Sequence, residues 1–369
     1  MSRKLVSVRT IDDLNDIENA DNIVVATVDG WNIVTKKGEF DIGDYCVMFE
    51  IDSFLPIDDE RFEFLKKSSY KKMNGKEGLR LKTIKLRGVV SQGLALPINY
   101  FPEVMEYARH NGGIESVCSE RHDLSELLSV EKYEIPDMGT GARPAGDYPF
   151  FVPKTDEERL ENLYNEYSED YKDTWFTPTM KLDGSSTTLV YVNNDNLFYD
   201  TVDVDSENND QWFVCSRNLA LCPDTESFFW KGWQYNSVMD NLVDWCRKND
   251  HQLAVQGELM GPGIQGNKEQ FNTYRVYVFR MFDITNQTFL TLDETKQICD
   301  QIGAETVPVF EPIQLFTEYD NLEAIMKRAD GKSINYKNRE GLVYINDDDP
   351  NNRVSFKTIS HKFLLKSED

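Results

Sequence analysis

Apolar and polar residues alternate along NIVVATVDGWNIVTKKGEFDIGDYCVMFEI, residues 22–51, and the alternation is cut at Asp29-Gly30, Lys37-Gly38 and Gly43-Asp44. A period of two broken by turn residues predicts strand following strand. The pattern continues in LRLKTIKLRGVVSQGLALPI, residues 79–98, so the first part of the chain is expected to form a small OB-like β-barrel, a common holder of nucleic acid and equally a protein-interaction module. The stretch IPDMGTGARPAGDYP, residues 135–149, is rich in proline and glycine and has little to bury; it reads as a linker. Beyond it the periodicity changes. Thr155 with Glu158 and Thr291 with Glu294 have capping-box spacing at helix starts, and ESFFWKGWQYNSVMDNLVDWCRKN, residues 226–249, contains a long amphipathic helix. QLAVQGEL, YRVYVFRMFDI, GLVYI and RVSFKTI read as strands among these helices. The expected fold class is α+β, with an OB-like domain at 1–130, a linker at 131–149 and a second domain at 150–369 built on antiparallel sheets.

A chain of 369 residues with 40% hydrophobic and 12% aromatic content has material for two packed cores. Nothing in it approaches the roughly eighteen apolar residues of a membrane span, and the N-terminus MSRKLVSVRTIDDL lacks a signal peptide's apolar core. An intracellular, cytoplasmic home without membrane partners is expected. The six cysteines show no C-x-x-C, which favours reduced buried thiols over a structural zinc site.

The net charge of -24 opposes general adhesion to nucleic acid, yet the charge is uneven. Residues 66–87, KKSSYKKMNGKEGLRLKTIKLR, hold nine basic residues and one acid, or +8, which leaves -32 for the remainder. Such a strip on an acidic body suits a grip on a polyanion in one place, with Lys82, Lys85 and Arg87 as candidate contacts; a solvated loop is the competing reading.

The chemistry is concentrated around TMKLDGSSTTLVYV, residues 179–192, where Lys181, Asp183 and Gly184 stand at K-x-D-G spacing before an alternating run. Alone, this is either an exposed turn or a lysine aimed at a nucleotide phosphate. Its company is SRN at 216–218, QGELMGPGIQGN at 256–267, FRMFDI at 279–284, EGLVYI at 340–345 and SFKTIS at 355–360. In this order the series resembles the motifs of the covalent nucleotidyltransferases, which include ATP-dependent DNA and RNA ligases and mRNA capping enzymes. The β-rich domain precedes the lysine, and the chain ends twelve residues after Lys357, so no downstream OB domain is expected. With LSVEKYEIP, PFFVPKTDEERLENL and QGELMGPGIQGNK, that order resembles the Deinococcus-type RNA ligases over nearly the full length.

The resemblance implies an adenylyltransferase domain of ATP-grasp-like ligase type that uses ATP and Mg²⁺ or Mn²⁺. Lys181 would be the nucleophile that becomes lysyl-AMP, its pKa depressed by a neighbouring cation or metal. Asp183, Glu258 and Glu340 would surround the metal, with Glu258 and Glu340 counted among the catalytic groups. Gly184 would let backbone approach the nucleotide, Arg217 would lie near the ribose or transferring phosphate, and Phe282 would stack on adenine, with Phe279 as its rival. Lys357 would contact the α-phosphate. Two departures stand out: Ser355 occupies the first place of the K-x-K that many ligases show, leaving a second lysine role to Lys362 or to nothing, and Met180 replaces a frequent glutamate. Lys154 and Arg159 are candidates for the 5′-phosphate of RNA. The implied activity is sealing of 3′-hydroxyl and 5′-phosphate ends by a monomer, at nicks in duplexes whose 3′-hydroxyl strand is RNA. A capping guanylyltransferase using GTP and a nonenzymatic OB-containing binder are the alternatives.

Overall fold

The computed structural model describes residues 4–134, 142–193, 210–349 and 352–367. The chain forms two compact units: Met1–Pro136 with Glu158–Tyr171 and Leu364–Asp369, and Asp137–Glu157 with Lys172–Phe363.

In the first unit the alternation of Tyr45–Phe49 sets the packing. The strand pairs with Val6–Thr10 on one side and Leu94–Pro97 on the other. Val47 and Phe49 point into a core with Val8, Leu96, Phe101 and Val104, whereas Cys46 and Met48 point into another with Ala26, Trp31 and Ile33. Both faces are therefore buried. The helices Pro102–His110 and Ile114–Ser119 cover the first core, and the meander Asp13–Asp16, Ile23–Val28, Trp31–Lys36 covers the second. The expected strands are present, but among the described residues they fall into four separate sheets and not one closed barrel. Corners at Gly43, Asp52 and Gly93, all with positive φ, end the ladders where a barrel would continue them.

The second unit is built on an eight-stranded sheet whose order runs Pro144–Asp147, Leu219–Leu221, Asp210–Cys215, Ser185–Asn193, Leu253–Met260, Arg275–Asp283, Thr288–Phe289. All these neighbours are antiparallel, and Glu305–Thr306 joins Arg275–Asp283 in parallel. Side chains from alternate positions, Leu189, Val255, Leu259 and Val278, pack under the helices Phe228–Gln234, Val238–Asn249 and Leu292–Ile302. The opposite face carries Val190, Ala254 and Phe282 at one end and polar residues, among them Ser186 and Glu258, at the other. A second antiparallel sheet joins Thr177–Lys181, Gly341–Asn346 and Val354–Ile359.

Three sequence expectations change here. Of the linker, residues 135–141 lie outside the described residues, while Pro144–Asp147 is an edge strand, a place where proline's missing N–H costs no ladder bond. Thr155 does not cap a helix: its hydroxyl bonds Ser186 Oγ at 2.8 Å, Glu158 is engaged with Asn162 Nδ2, and the helical residues begin at Leu160. The long helix is two, Phe228–Gln234 and Val238–Asn249, broken where Asn236 and Ser237 take left-handed φ values of 55° and 57°. The Thr291–Glu294 box forms in both directions.

Candidate active site

Strand register brings the motif residues of the second unit together. Lys181 pairs across from Gly341, which places Glu340 just beyond the last rung, and Lys181 Nζ donates to Glu340 Oε2 at 2.7 Å. A side chain at 341 would put Cβ 2.1 Å from the Thr358 carbonyl, so only glycine lets the three strands close behind this pair. From the larger sheet, Ser186 lies opposite Glu258, and the Gly184 N–H donates to Glu258 Oε1 at 2.9 Å. A Cβ at 184 would meet Leu259 O at 2.4 Å and Glu258 Cγ at 2.9 Å, which gives the glycine of K-x-D-G its reason. Asp183 accepts from Lys268 at 2.6 Å, and that ammonium also lies 4.3 Å from the centre of the Phe363 ring.

Five charged groups thus share one half-buried space: Lys181, Asp183, Glu258, Lys268 and Glu340. Burial and the Glu340 charge push Asp183 up to about 6, against the pull of Lys268 and Lys181. Burial pushes Glu258 up to about 8 although Lys181 opposes it. Burial works against the charge on Lys181 too, but Glu340, Glu258 and Asp183 outweigh it and hold the ammonium above the ordinary lysine value. The expected depression of Lys181 is therefore not produced by these residues alone; positive charge has to enter the cluster before the amine can be a nucleophile.

Among the described residues no three His, Cys, Asp or Glu side chains gather as a preformed metal cage. The ammonium groups and the Gly184 amide already occupy oxygens of Asp183, Glu258 and Glu340. The donor set nevertheless fits Mg²⁺ or Mn²⁺ bound by one or two carboxylates, water and substrate phosphate, because acids that raise one another's pKa gain from an added cation.

Lys268 was not singled out from the sequence, although it stands in the same QGELMGPGIQGNK stretch as Glu258. Its removal leaves Asp183 facing Glu340 with less compensation. Lys268→Met is expected to move the acid limb of the pH profile of self-adenylylation to higher pH, measured by lysyl-nucleotide formation across a buffer series; an unmoved limb would dissociate Lys268 from Asp183 ionisation.

The remaining candidates separate by location. Lys357 and Ser355 share the Lys181 face of the small sheet, since Val343 pairs with Lys357 and Thr179, and Ile345 with Ser355 and Thr177. Lys362 is paired with Asp330 at 3.0 Å. Arg217, in the turn between Asp210–Cys215 and Leu219–Leu221, holds Asp156 at 2.5 Å, and the neighbouring Asn218 accepts from exposed Lys154 at 3.1 Å. Arg159, the other candidate for the 5′-phosphate, belongs to the first unit and is 5% exposed, with its guanidinium 5.6 Å from the Trp31 ring centre and 3.6 Å from Glu161.

Phe282 has no open face for a base. It is 4% exposed, packed with Tyr148, Phe151 and Val190, and 5.1 Å from the Phe289 ring. The register shift between Gln256 and Gly257 leaves Phe279 as the bulged residue, half-buried beside the cluster of Met180, Leu182 and Met260 that flanks Lys181. The bulge thus sets Phe279, the rival ring, against the cluster beside Lys181, while Phe282 packs in the core at the other end of the strand.

In the basic strip, Lys66, Lys72, Lys76 and Arg80 are ion-paired with Glu63, Glu77, Glu131 and Asp52. Lys85 and Arg87 project from the exposed hairpin of Ile84–Leu86 and Val89–Ser91, whose turn has φ of 49° at Arg87 and 90° at Gly88; Lys82 is half-buried just before it.

Comparison with known proteins agrees with this geometry. An OB-fold domain model matches residues 5–98, and the RNA ligase family model matches residues 176–359. No curated protein sequence matches. Among solved structures, the Naegleria gruberi RNA ligase with PPi is 34% identical over 98% of both chains with a TM-score of 0.82. A glutamate-to-alanine variant of that ligase with ATP and Mn is 33% identical over 100% of both chains at 0.83, and a lysine-to-methionine variant with AMP and Mn is 33% identical over 98% of both at 0.82. With the lysine and acids drawn together on two sheets and similarity running the whole length, the chain belongs to the RNA ligase family, as an RNA ligase with an N-terminal OB-fold domain.

Proposed function

We propose that the chain is an ATP-dependent RNA ligase of the Deinococcus-type branch that seals 3′-hydroxyl and 5′-phosphate ends, with a preference for nicks in duplexes whose 3′-hydroxyl strand is RNA. The observation that carries this reading is Lys181, bonded to Glu340 and surrounded by Glu258 and Asp183, in a chain similar along its length to an RNA ligase described with ATP, AMP and Mn. Lys181 Nζ attacks the α-phosphorus of ATP; the N–P bond forms, the bridging P–O bond breaks and pyrophosphate leaves. An oxygen of the RNA 5′-phosphate then displaces the lysine and takes the AMP. Finally the 3′-hydroxyl attacks that phosphate, the phosphodiester forms and AMP leaves.

The residues divide the work. Glu340 orients the lysine amine, and Glu258 and Gly184 shape the nucleotide edge of the site. Phe279 offers the ring for adenine, Arg217 and Lys154 line the rim by which phosphate arrives, and Lys357 meets the α-phosphate. A bound Mg²⁺ or Mn²⁺ supplies the positive charge that frees Lys181 from its acids and neutralises the phosphates. Lys82, Lys85 and Arg87 offer the OB-fold domain's phosphate contacts. The six cysteines are all free thiols, in keeping with a reducing compartment, and among the described residues no helix is long and apolar enough to cross a membrane.

The deciding experiment is sealing of matched nicked duplexes carrying RNA or DNA on either side of the break. Efficient joining only where the 3′-hydroxyl strand is RNA supports the full reading. Equal joining of all-DNA nicks would remove the RNA preference.

A further inference from the structure

The strand Val354–Ile359 turns Ser355 toward the Lys181 face where the ligase resemblance leads one to expect lysine, and what surrounds Ser355 is a built charge network. Its hydroxyl donates to Glu157 Oε2 at 2.6 Å and accepts from Arg353 Nη1 at 2.6 Å. Glu157 Oε1 lies 3.4 Å from Arg353 Nη2 and accepts from Arg280 Nη1 at 3.0 Å. Both guanidinium groups lie over Phe289, with ring-centre distances of 5.1 Å for Arg353 and 4.8 Å for Arg280.

The network is anchored to the strand that bears Glu258. Arg280 Nε donates to Gln256 Oε1 at 2.5 Å, and Arg280 Nη2 to the Lys154 carbonyl at 2.6 Å. Gln256 Nε2 in turn donates to the Pro153 carbonyl at 2.6 Å and to Tyr148 Oη at 2.9 Å. The segment that carries Glu157 is thereby fixed two residues from Glu258. Glu157 ties this sheet to the strand of Lys357.

We propose that Arg353 supplies, from two residues upstream, the positive charge that a lysine at position 355 would carry, and that Glu157 is the positioning residue that holds it. This rests on the ligase reading above, since the charge acts on the polyphosphate end of the ATP that Lys181 attacks. Two guanidinium groups face one carboxylate, which leaves one positive charge in the network. Asp156, the other acid in reach of Arg280, is itself held by Arg217. Burial lowers Arg280 to about 10 and the Arg353 charge adds to that effect, as two cations sharing one anion should. Serine is what permits the arrangement: its short hydroxyl lets the carboxylate come close, whereas a lysine there would pair with Glu157 and make Arg353 redundant.

That redundancy is the test. Lysyl-AMP formation is followed against ATP concentration for the wild type, Arg353→Met, Arg353→Lys, Ser355→Lys and the double variant Arg353→Met with Ser355→Lys. Methionine keeps an apolar stem on Phe289 and removes the charge. Arg353→Met is expected to raise the KM for ATP about tenfold with kcat little changed, the loss of one charge-assisted contact. Arg353→Lys, which keeps the charge without the forked contact, is expected to raise the KM less than Arg353→Met does, and the double variant recovers to within about threefold. An unchanged KM in Arg353→Met, or a double variant as poor as that single variant, overturns the assignment. So does an early-melting Arg353→Met that Ser355→Lys does not rescue, since that marks packing alone. A wild-type chain that takes no AMP overturns the ligase reading and this one with it; normal wild-type labelling beside an unaffected Arg353→Met overturns this one only.

Discussion

Lys181→Ala is expected to take no label when incubated with divalent metal and ATP radiolabelled at the α-phosphate, a fall of about a thousandfold or more, because it removes the amine that Glu340 holds among the acids. The same variant should still join RNA that already carries AMP on its 5′-phosphate to within about tenfold of the wild type, since the lysine is not a nucleophile in that step. The pair of assays separates loss of the nucleophile from loss of the site. Labelling that survives in Lys181→Ala would sink the assignment, and failure of both assays in a variant that melts like the wild type would assign Lys181 a wider role.

Glu258→Gln is expected to stabilise the protein while disabling it. Glu258 has an ordinary carboxyl pKa of 4.5 and is raised to about 8 by burial, with Lys181 opposing. Below pH 4.5 folded and unfolded chains both carry the proton. Between there and about 8 the folded chain keeps a proton that the unfolded chain has lost, so stability falls as pH rises through that window. Because the side chain keeps some solvent contact and Lys181 is close, the loss is about 1–2 kcal/mol by pH 8 and not the full value for an isolated buried acid. Glutamine keeps the acceptor for Gly184 N–H and has no proton to lose. Its Tm should exceed the wild type's by roughly 3–6 °C at pH 8 and match it near pH 4.5, while lysyl-AMP formation falls about a hundredfold or more. Melting curves at the two pH values decide it, and a gain of equal size at both would point to packing and not to ionisation.

Lys181, Gly184, Glu258 and Glu340 stand out in the sequence through the order of the motifs, and the period-two pattern places them on strands or at strand ends; pairing then fixes who faces whom. Gly184 is expected from the resemblance to let backbone approach the nucleotide, and a Cβ there would also meet Leu259 O and Glu258 Cγ; Gly341, where a Cβ would meet the Thr358 carbonyl, carries no such signal in the sequence. The choice between Phe282 and Phe279 was not legible for a physical reason: alternation assumes an unbroken ladder, and the shift between Gln256 and Gly257 breaks it at Phe279. Lys268 and Glu157 were invisible as site residues because what defines them is distance across the fold, from Asp183 and from Arg280, 85 and 123 residues away in sequence. The Thr155–Glu158 pair has capping-box spacing without the function, because Ser186 and Asn162 compete for the same polar groups. The long-helix pattern survives in composition, but Asn236 and Ser237 spend their local flexibility on a break.

The border of the eight-stranded sheet has a consequence for the life of this protein in a crowded solution. Its outermost strand, Pro144–Asp147, is four residues long, opens on a residue without an amide hydrogen and loses register between Pro144 and Gly146. A neighbouring molecule arriving there finds no straight row of donors and acceptors to zip onto. Beyond Arg275–Asp283, at the other end of the order, the described partners are the two-residue strands Thr288–Phe289 and Glu305–Thr306. A wide sheet is thus kept from templating aggregates by its margins, and replacing Pro144 with a β-branched residue would trade that safeguard for a longer, stickier rim.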